Sequence, residues 1–282
     1  TGGSGTLCSA MAYGLAVSGA KTAIIGRNQE KLLKVVNKLT EDALNEYGKD
    51  VIVKGYSCNV TDKNELEKTY SLISSELGTC DILINGAGGN QPGAIASTEM
   101  LKKEKGEDDY SFWNLDEDKI RDVMDVNYMG TLLPIQVFTK DMVEKRSGSI
   151  INIASVTSIL PLTKVVAYGN AKSAIFNLTQ WLAVHFGESG IRCNAIAPGF
   201  YAAEQNHSLL FNEDGSYYFY DKIGYGGTNQ SIAMFRYNIL NEIENSSNEY
   251  DGNTVGASID GRYTSIVKGL DLTLAGSYSR SN

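Results

Sequence analysis

No stretch of this chain approaches the roughly 18–20 consecutive apolar residues that a membrane-crossing helix needs, although 42% of its 282 residues are hydrophobic. That composition supports a sizeable core, either in one large α/β domain or in one domain plus an appendage. Positive charge is in deficit: 25 Lys and Arg stand against 33 Asp and Glu, a formal charge of −8. Such a balance argues against a nucleic-acid surface, while a locally basic site for a small substrate stays compatible with it. Histidine is scarce. His185 and His207 are the two present, and they form no ligand-spaced cluster, so no metal site is expected. The four cysteines, Cys8, Cys58, Cys80 and Cys193, are too dispersed for a zinc motif or a disulfide framework. They are expected as buried free thiols in a reducing, cytoplasmic compartment. No signal-peptide pattern occurs, and the chain opens at Thr1 without a methionine, as expected of a sequence whose true N-terminus is missing.

What is present, over residues 1–200, is alternation. Helical periodicity at 9–20 gives way to a short strand, "KTAIIG", at 21–26, then to a helix at 29–48 closed by Gly48. Strand "VIVKGYSCNV", helix "KNELEKTYSLISSELG" and strand "DILINGAGG" (81–89) follow. A charged excursion over 94–117 precedes a helix at 118–145 that Pro134 is expected to kink. Strand "GSIINIAS", a helix at 166–187 and strand "IRCNAIAPG" end the series. Strands separated by helices predict an α/β fold, a doubly wound parallel sheet with ligands at the carboxyl ends of its strands.

Beyond about residue 216 the character changes. All four prolines and all four cysteines precede residue 200, yet eight of the sixteen tyrosines lie in the last 66 residues. "TVGASIDGRYTSI" and "LDLTLAGSYSR" alternate with period two, which predicts an antiparallel hairpin. The expected division is therefore a domain at 1–216 and a divergent β-rich tail at 217–282.

The chemistry-bearing residues cluster in the first part. Tyr168 and Lys172 are one helical turn apart in "AYGNAKSA", and an ammonium beside a phenol is expected to draw its pKa down from about 10. A second pair at this spacing, Tyr218 and Lys222, lacks what precedes the first: Ser155, at the end of a strand. With Asn127 in "DVNYMG", the set Ser155, Tyr168 and Lys172 resembles the catalytic residues of the short-chain dehydrogenase/reductase family. "TGG" at the start, "NGAG" at 85–88 and "APG" at 197–199 extend the resemblance over about residues 1–216. It implies a Rossmann-type fold and hydride transfer between a nicotinamide cofactor and a hydroxyl/keto group. In that scheme Tyr168 exchanges a proton with the substrate oxygen, Lys172 lowers the tyrosine pKa and binds the nicotinamide ribose, Ser155 hydrogen-bonds the substrate oxygen, and Asn127 positions a relay water.

The resemblance also marks a cofactor set: Gly2, Ser4, Gly5, Thr6 and Leu7 in the opening loop, Arg27 and Asn28 after the second strand, Asn59 and Val60 near adenine, Asn85, Gly86, Ala87 and Gly88, and Pro198 and Gly199. Tyr168 and Lys172 are shared with it. Of the family's three glycines in TGxxxGxG only Gly2 matches, Thr6 and Cys8 holding the other two positions. No carboxylate stands at 25–28 to prefer the free ribose hydroxyl of NAD, and Arg27 suits a 2′-phosphate, so NADP is expected, with NAD possible. Asn59 replaces the family's usual aspartate, its amide oxygen still an acceptor.

On the substrate side, 88–94, 94–117 and 199–216 resemble a sugar-acid branch, the D-mannonate oxidoreductase (fructuronate reductase) type, with Asn90, Gln91, Gln205, Asn206 and His207 as candidate contacts. His185 is expected to be structural. Two departures stand out. The strand that family members carry ahead of "TGG" is absent, and so are the closing helix and strand after "NEDGS". The tail instead resembles part of an outer-membrane β-barrel of the TonB-dependent receptor type. The expected partner is a small-molecule substrate, with no nucleic acid, no membrane for 1–216, and a homo-oligomer (dimer or tetramer) by family analogy. Two other readings stay open: a cofactor-binding module without turnover, and a joined fragment whose tail belongs to a membrane receptor.

Overall fold

The computed structural model describes residues 1–98 and 111–199. Half of the charged excursion (99–110), Gln205, Asn206, His207 and the whole tail lie outside the described residues. The chain runs α1 (Thr6–Val17), β1 (Thr22–Gly26), α2 (Gln29–Tyr47), β2 (Val53–Ser57), α3 (Lys63–Leu77), β3 (Ile82–Asn85), α4 (Glu117–Met124), α5 (Gly130–Phe138), α6 (Lys140–Lys145), β4 (Gly148–Ile153), α7 (Val166–His185) and β5 (Ile191–Ile196). Local chemistry sets the boundaries. Asn28 caps α2 by accepting from Lys31 N, and Asp62 caps α3 by accepting from Asn64 N and Glu65 N. Gly48 ends α2 at φ +62, a left-handed stop that suits glycine.

All pairings are parallel. β4 lies between β3 and β5, and it is buried at Gly148, Ile150, Asn152 and Ile153, as an interior strand requires. One core joins Leu66, Ile73, Leu83, Ile135, Phe138, Met142, Ile150, Leu178 and Leu182. A second, under α1 and α2, joins Ala12, Ala16, Ile24, Leu32, Leu39 and Val53.

The sheet is split. β1 pairs only with β2, and β3 only with β4, so the described strands form a pair and a triplet. Between the facing edges of β1 and β3 lies a cleft of about 570 Å³, floored by Ile73, Leu77 and Phe138. The sequence comparison expects a strand here, and Thr1–Gly3 enters this space. The Thr1 amine donates to Ile84 O at 2.6 Å and Gly3 N to Ile25 O at 3.1 Å, one bond to each edge. Among the described residues β1 and β3 have no ladder with each other or with a further strand on these edges.

Two sequence expectations need correction. Strand 81–89 stops at Asn85, because 86–89 must turn across the top of the sheet. The helix expected at 118–145 is three helices with a π-turn at Asp125–Met129, and Pro134 lies inside α5. The residue four before the proline, where its ring would crowd a carbonyl, is Gly130, which opens a new helix directly after the π-turn.

Candidate active site

Ser155 follows the end of β4, and Tyr168 occupies the first turn of α7. One bond brings them together. Lys172 Nζ, buried under α7, donates to Ile153 O at 2.7 Å and so fastens the helix to the strand end. Ser173 Oγ donates to Ser158 O at 3.2 Å and holds the same helix against the turn after Ser155. That turn is set by Thr157 N donating to Ser155 Oγ at 3.2 Å. The Ser155 side chain hydrogen-bonds the Tyr168 hydroxyl, which favours the phenolate.

Electrostatics differ from the sequence expectation. Burial is the dominant influence on Tyr168 and raises its pKa, with the Ser155 hydrogen bond opposing. Lys172 Nζ stands over the ring face, 5.6 Å from the centroid, with its bond directed to Ile153 O and not to the Tyr168 hydroxyl. Burial in turn pushes Lys172 down to about 8, opposed by Cys8. Burial thus shifts both groups towards their neutral forms, a phenol ready to donate beside a lysine that gives up its proton near pH 8.

Asn127 is fully buried in the π-turn. Its Nδ2 donates to Val123 O at 2.8 Å and to Gly89 O at 2.7 Å, while Oδ1 accepts from Gly89 N at 3.3 Å. Both amide hydrogens are thus committed to protein, and the residue clamps the loop after β3. A Cβ at Gly88 would overlap Asn127 Oδ1 and lie 3.4 Å from Lys172 Nζ, so the loop passes directly over both.

The cofactor residues divide into two groups. Gly2 has φ +67, and a Cβ there would stand 2.7 Å from Ala87 N and from Gly86 O, which accounts for the one matching glycine. Gly5 N donates to Gly2 O, and Gly5 starts α1 with no side-chain cap. Thr6 and Leu7 carry first-turn N–H groups of a helix start that the Gly5 side of the loop leaves without a side-chain cap. Ser4 Oγ faces Gly26, and Arg27 is exposed beyond it at the end of β1. Pro198 O accepts from Val156 N at 2.9 Å, which ties "APG", Gly199 included, to the strand end at Ser155. The second group is already occupied. Asn28 Oδ1 caps α2. Asn59 Oδ1 accepts from Thr61 N and Thr61 Oγ1, so the acceptor expected to face adenine is used within its own turn. Val60 is a core side chain.

Asn85 is buried and donates to Asn152 Oδ1 at 3.0 Å, and Asn152 Nδ2 donates to Thr179 Oγ1 at 2.9 Å. Sequence reasoning missed Asn152 and Thr179. The available signal was an amide in the middle of the apolar strand "SIINIAS", which burial obliges to find partners. On the substrate side Asn90 Oδ1 accepts from Gln91 N at 2.9 Å, and both residues are half-buried beside the Asn127 clamp. His185 stacks on Trp181 at 4.4 Å, away from this cluster on the far end of α7.

Known proteins are similar to this chain in sequence and in fold. The short chain dehydrogenase profile matches residues 1–213. An oxidoreductase of Haemophilus influenzae is 45% identical over 215 residues, 76% of this chain and 73% of its own length. A crystal structure of a candidate D-mannonate oxidoreductase from Haemophilus influenzae with bound NAD is similar over 86% of both chains, at 40% identity and TM-score 0.70. A gluconate 5-dehydrogenase from Burkholderia cenocepacia, solved with NADP and tartrate, covers 77% of this chain and 75% of its own at 25% identity and TM-score 0.61. Matched over three quarters of its length, with a serine, tyrosine and lysine gathered at the strand ends of a parallel sheet, the chain belongs to the short-chain dehydrogenase family of oxidoreductases.

Proposed function

We propose that the chain interconverts a hydroxyl and a keto group of a sugar acid, of the D-mannonate/D-fructuronate kind, with NADP and with NAD as the lesser cofactor. The observation that carries this reading is the buried contact of Ser155 and Tyr168 over Lys172 at the carboxyl end of β4. The dinucleotide fits the residues present: glycine at 2 where a Cβ would strike the 86–87 backbone, an uncapped α1 start, and Arg27 free in solvent. Gly2, Ser4, Gly5, Thr6 and Leu7 would hold the pyrophosphate, Arg27 the 2′-phosphate, and Lys172 the nicotinamide ribose. The nicotinamide would supply or accept the hydride.

The chain's own residues handle the proton. Tyr168, kept protonated by burial, donates to the substrate oxygen in the reducing direction and takes the proton back in the oxidising one. Ser155 donates a hydrogen bond to the same oxygen and steadies the charge that develops there. Asn127 holds the 88–89 loop as one wall of the site, and Asn90 and Gln91, half-buried next to that loop, would hydrogen-bond substrate hydroxyls. Sugar-acid chemistry is supported by the mannonate and gluconate relatives, and NADP over NAD by Arg27. An exposed apolar stretch of α7, Trp181 and Val184, supports self-association.

The test is turnover of D-fructuronate, D-mannonate and D-gluconate with each nicotinamide. Tyr168→Phe should lose at least about 10²-fold in kcat, the usual worth of a general acid, while cofactor binding persists. Near-normal turnover by Tyr168→Phe overturns the reading, as does cofactor binding without turnover of any hydroxy or keto acid.

A further inference from the structure

Position 8 holds a thiol where the family pattern has a glycine, in the helix that starts the dinucleotide site. Cys8 is buried, and its Sγ points at the backbone of residue 86. A Cβ built on Gly86 would overlap Cys8 Sγ and would lie 3.2 Å from Ile153 Cγ1 and 3.5 Å from Thr1 O. On its other side, the Gly86–Ala87 peptide is 2.7 Å from where a Gly2 Cβ would be. The loop backbone is therefore pinched between the start of the chain and α1, with Cys8 and, less closely, Ile153 supplying the side-chain atoms against it. Burial pushes the thiol pKa up, so the contact is neutral packing.

We propose that Cys8 and Gly86 form an interlocked pair in which the cysteine at 8 requires glycine at 86, and that this contact positions the loop 85–88 relative to the start of α1. The inference rests on the cofactor reading above. It also explains how the site dispenses with the family's third glycine. The thiol takes up space vacated at 86 instead of protruding among the first-turn N–H groups of Thr6 and Leu7. Packing interiors are close to crystal density, so a single added methyl at this contact has nowhere to go unless the sulfur is removed with it.

A double-mutant cycle on the full chain tests this. Cys8→Gly, Gly86→Ala and the double variant are compared by thermal melting and by fluorescence titration with NADPH and NADH. Gly86→Ala should bind NADPH about tenfold or more weakly, as expected of an overpacked contact, and should melt lower than the parent. Cys8→Gly should lose no more than about threefold in affinity, and the double variant should return to within about threefold of Cys8→Gly, because removing the sulfur relieves the overlap. Recovery of both melting and affinity supports the pair. A double variant as impaired as Gly86→Ala in both measurements overturns it, and recovery of melting without recovery of affinity overturns the positioning role. If the unmodified chain binds neither nucleotide, the cofactor reading fails and takes the positioning role with it, while the melting cycle still decides whether the two residues interlock.

Discussion

Replacing Lys172 by methionine removes a cation that the fold has stripped of water, and the consequence for stability is a matter of sign and pH. Lys172 is 4% exposed, and burial takes its pKa from 10.5 to about 8. The folded protein therefore holds this proton less tightly than the unfolded chain does. Between about pH 8 and pH 10.5 the unfolded state carries more protons, and stability rises with pH. Below pH 8 both states are charged and the burial penalty is complete, about 3 kcal/mol at roughly 1.4 kcal/mol per pKa unit. Methionine abolishes the titration. It also removes the donor to Ile153 O, but that loss contributes an offset that barely changes with pH. The stability of the parent minus that of Lys172→Met should thus climb by about 2 kcal/mol between pH 7 and pH 9.5. Urea unfolding of both proteins at half-unit pH steps measures it. The other titrating groups are common to both proteins and cancel, apart from Cys8, the residue whose charge couples to Lys172. A difference flat to within about 0.5 kcal/mol, or one that falls with pH, would show that Lys172 keeps its hydration in the folded state, and the reasoning would fail.

Other expectations follow from the same geometry. Arg27→Asp should reverse the order of kcat/KM for NADPH and NADH, and a parent that already prefers NADH refutes the 2′-phosphate assignment. Asn152→Ala strands Asn85 Nδ2 in the core, while Thr179 Oγ1 keeps its bond to Ile175 O, so it should cost about 1–3 kcal/mol in denaturant unfolding; a loss below about 0.5 kcal/mol would mean water replaces the amide. Deleting 217–282 should leave NADPH affinity within a few-fold, whereas loss of folding on deletion would make the tail integral to the domain. Tyr218→Phe should leave turnover unchanged.

What could be read from the sequence was whatever depends on near neighbours. The left-handed stop at Gly48 and the alternation that yields parallel strands are both local, and they appear where periodicity and glycine chemistry put them. Tyr168 and Lys172 were legible for the same reason, being one turn apart on one helix. Tertiary structure decided what depends on distant residues. The lysine's proton is governed by its burial and by a carbonyl on another element, Ile153 O, so the direction of both pKa shifts was out of reach of spacing. The Asn127 clamp on Gly89 spans 38 residues and the Asn85–Asn152 bond spans 67, separations at which no local pattern carries a signal. The helix break moved from Pro134 to a π-turn at Asn127 because the proline tolerates a helix opened by Gly130, while the amide has to reach the loop after β3. Cys8 looked like a defect in a glycine pattern. Only the fold brings it against Gly86, where the space it needs is already open.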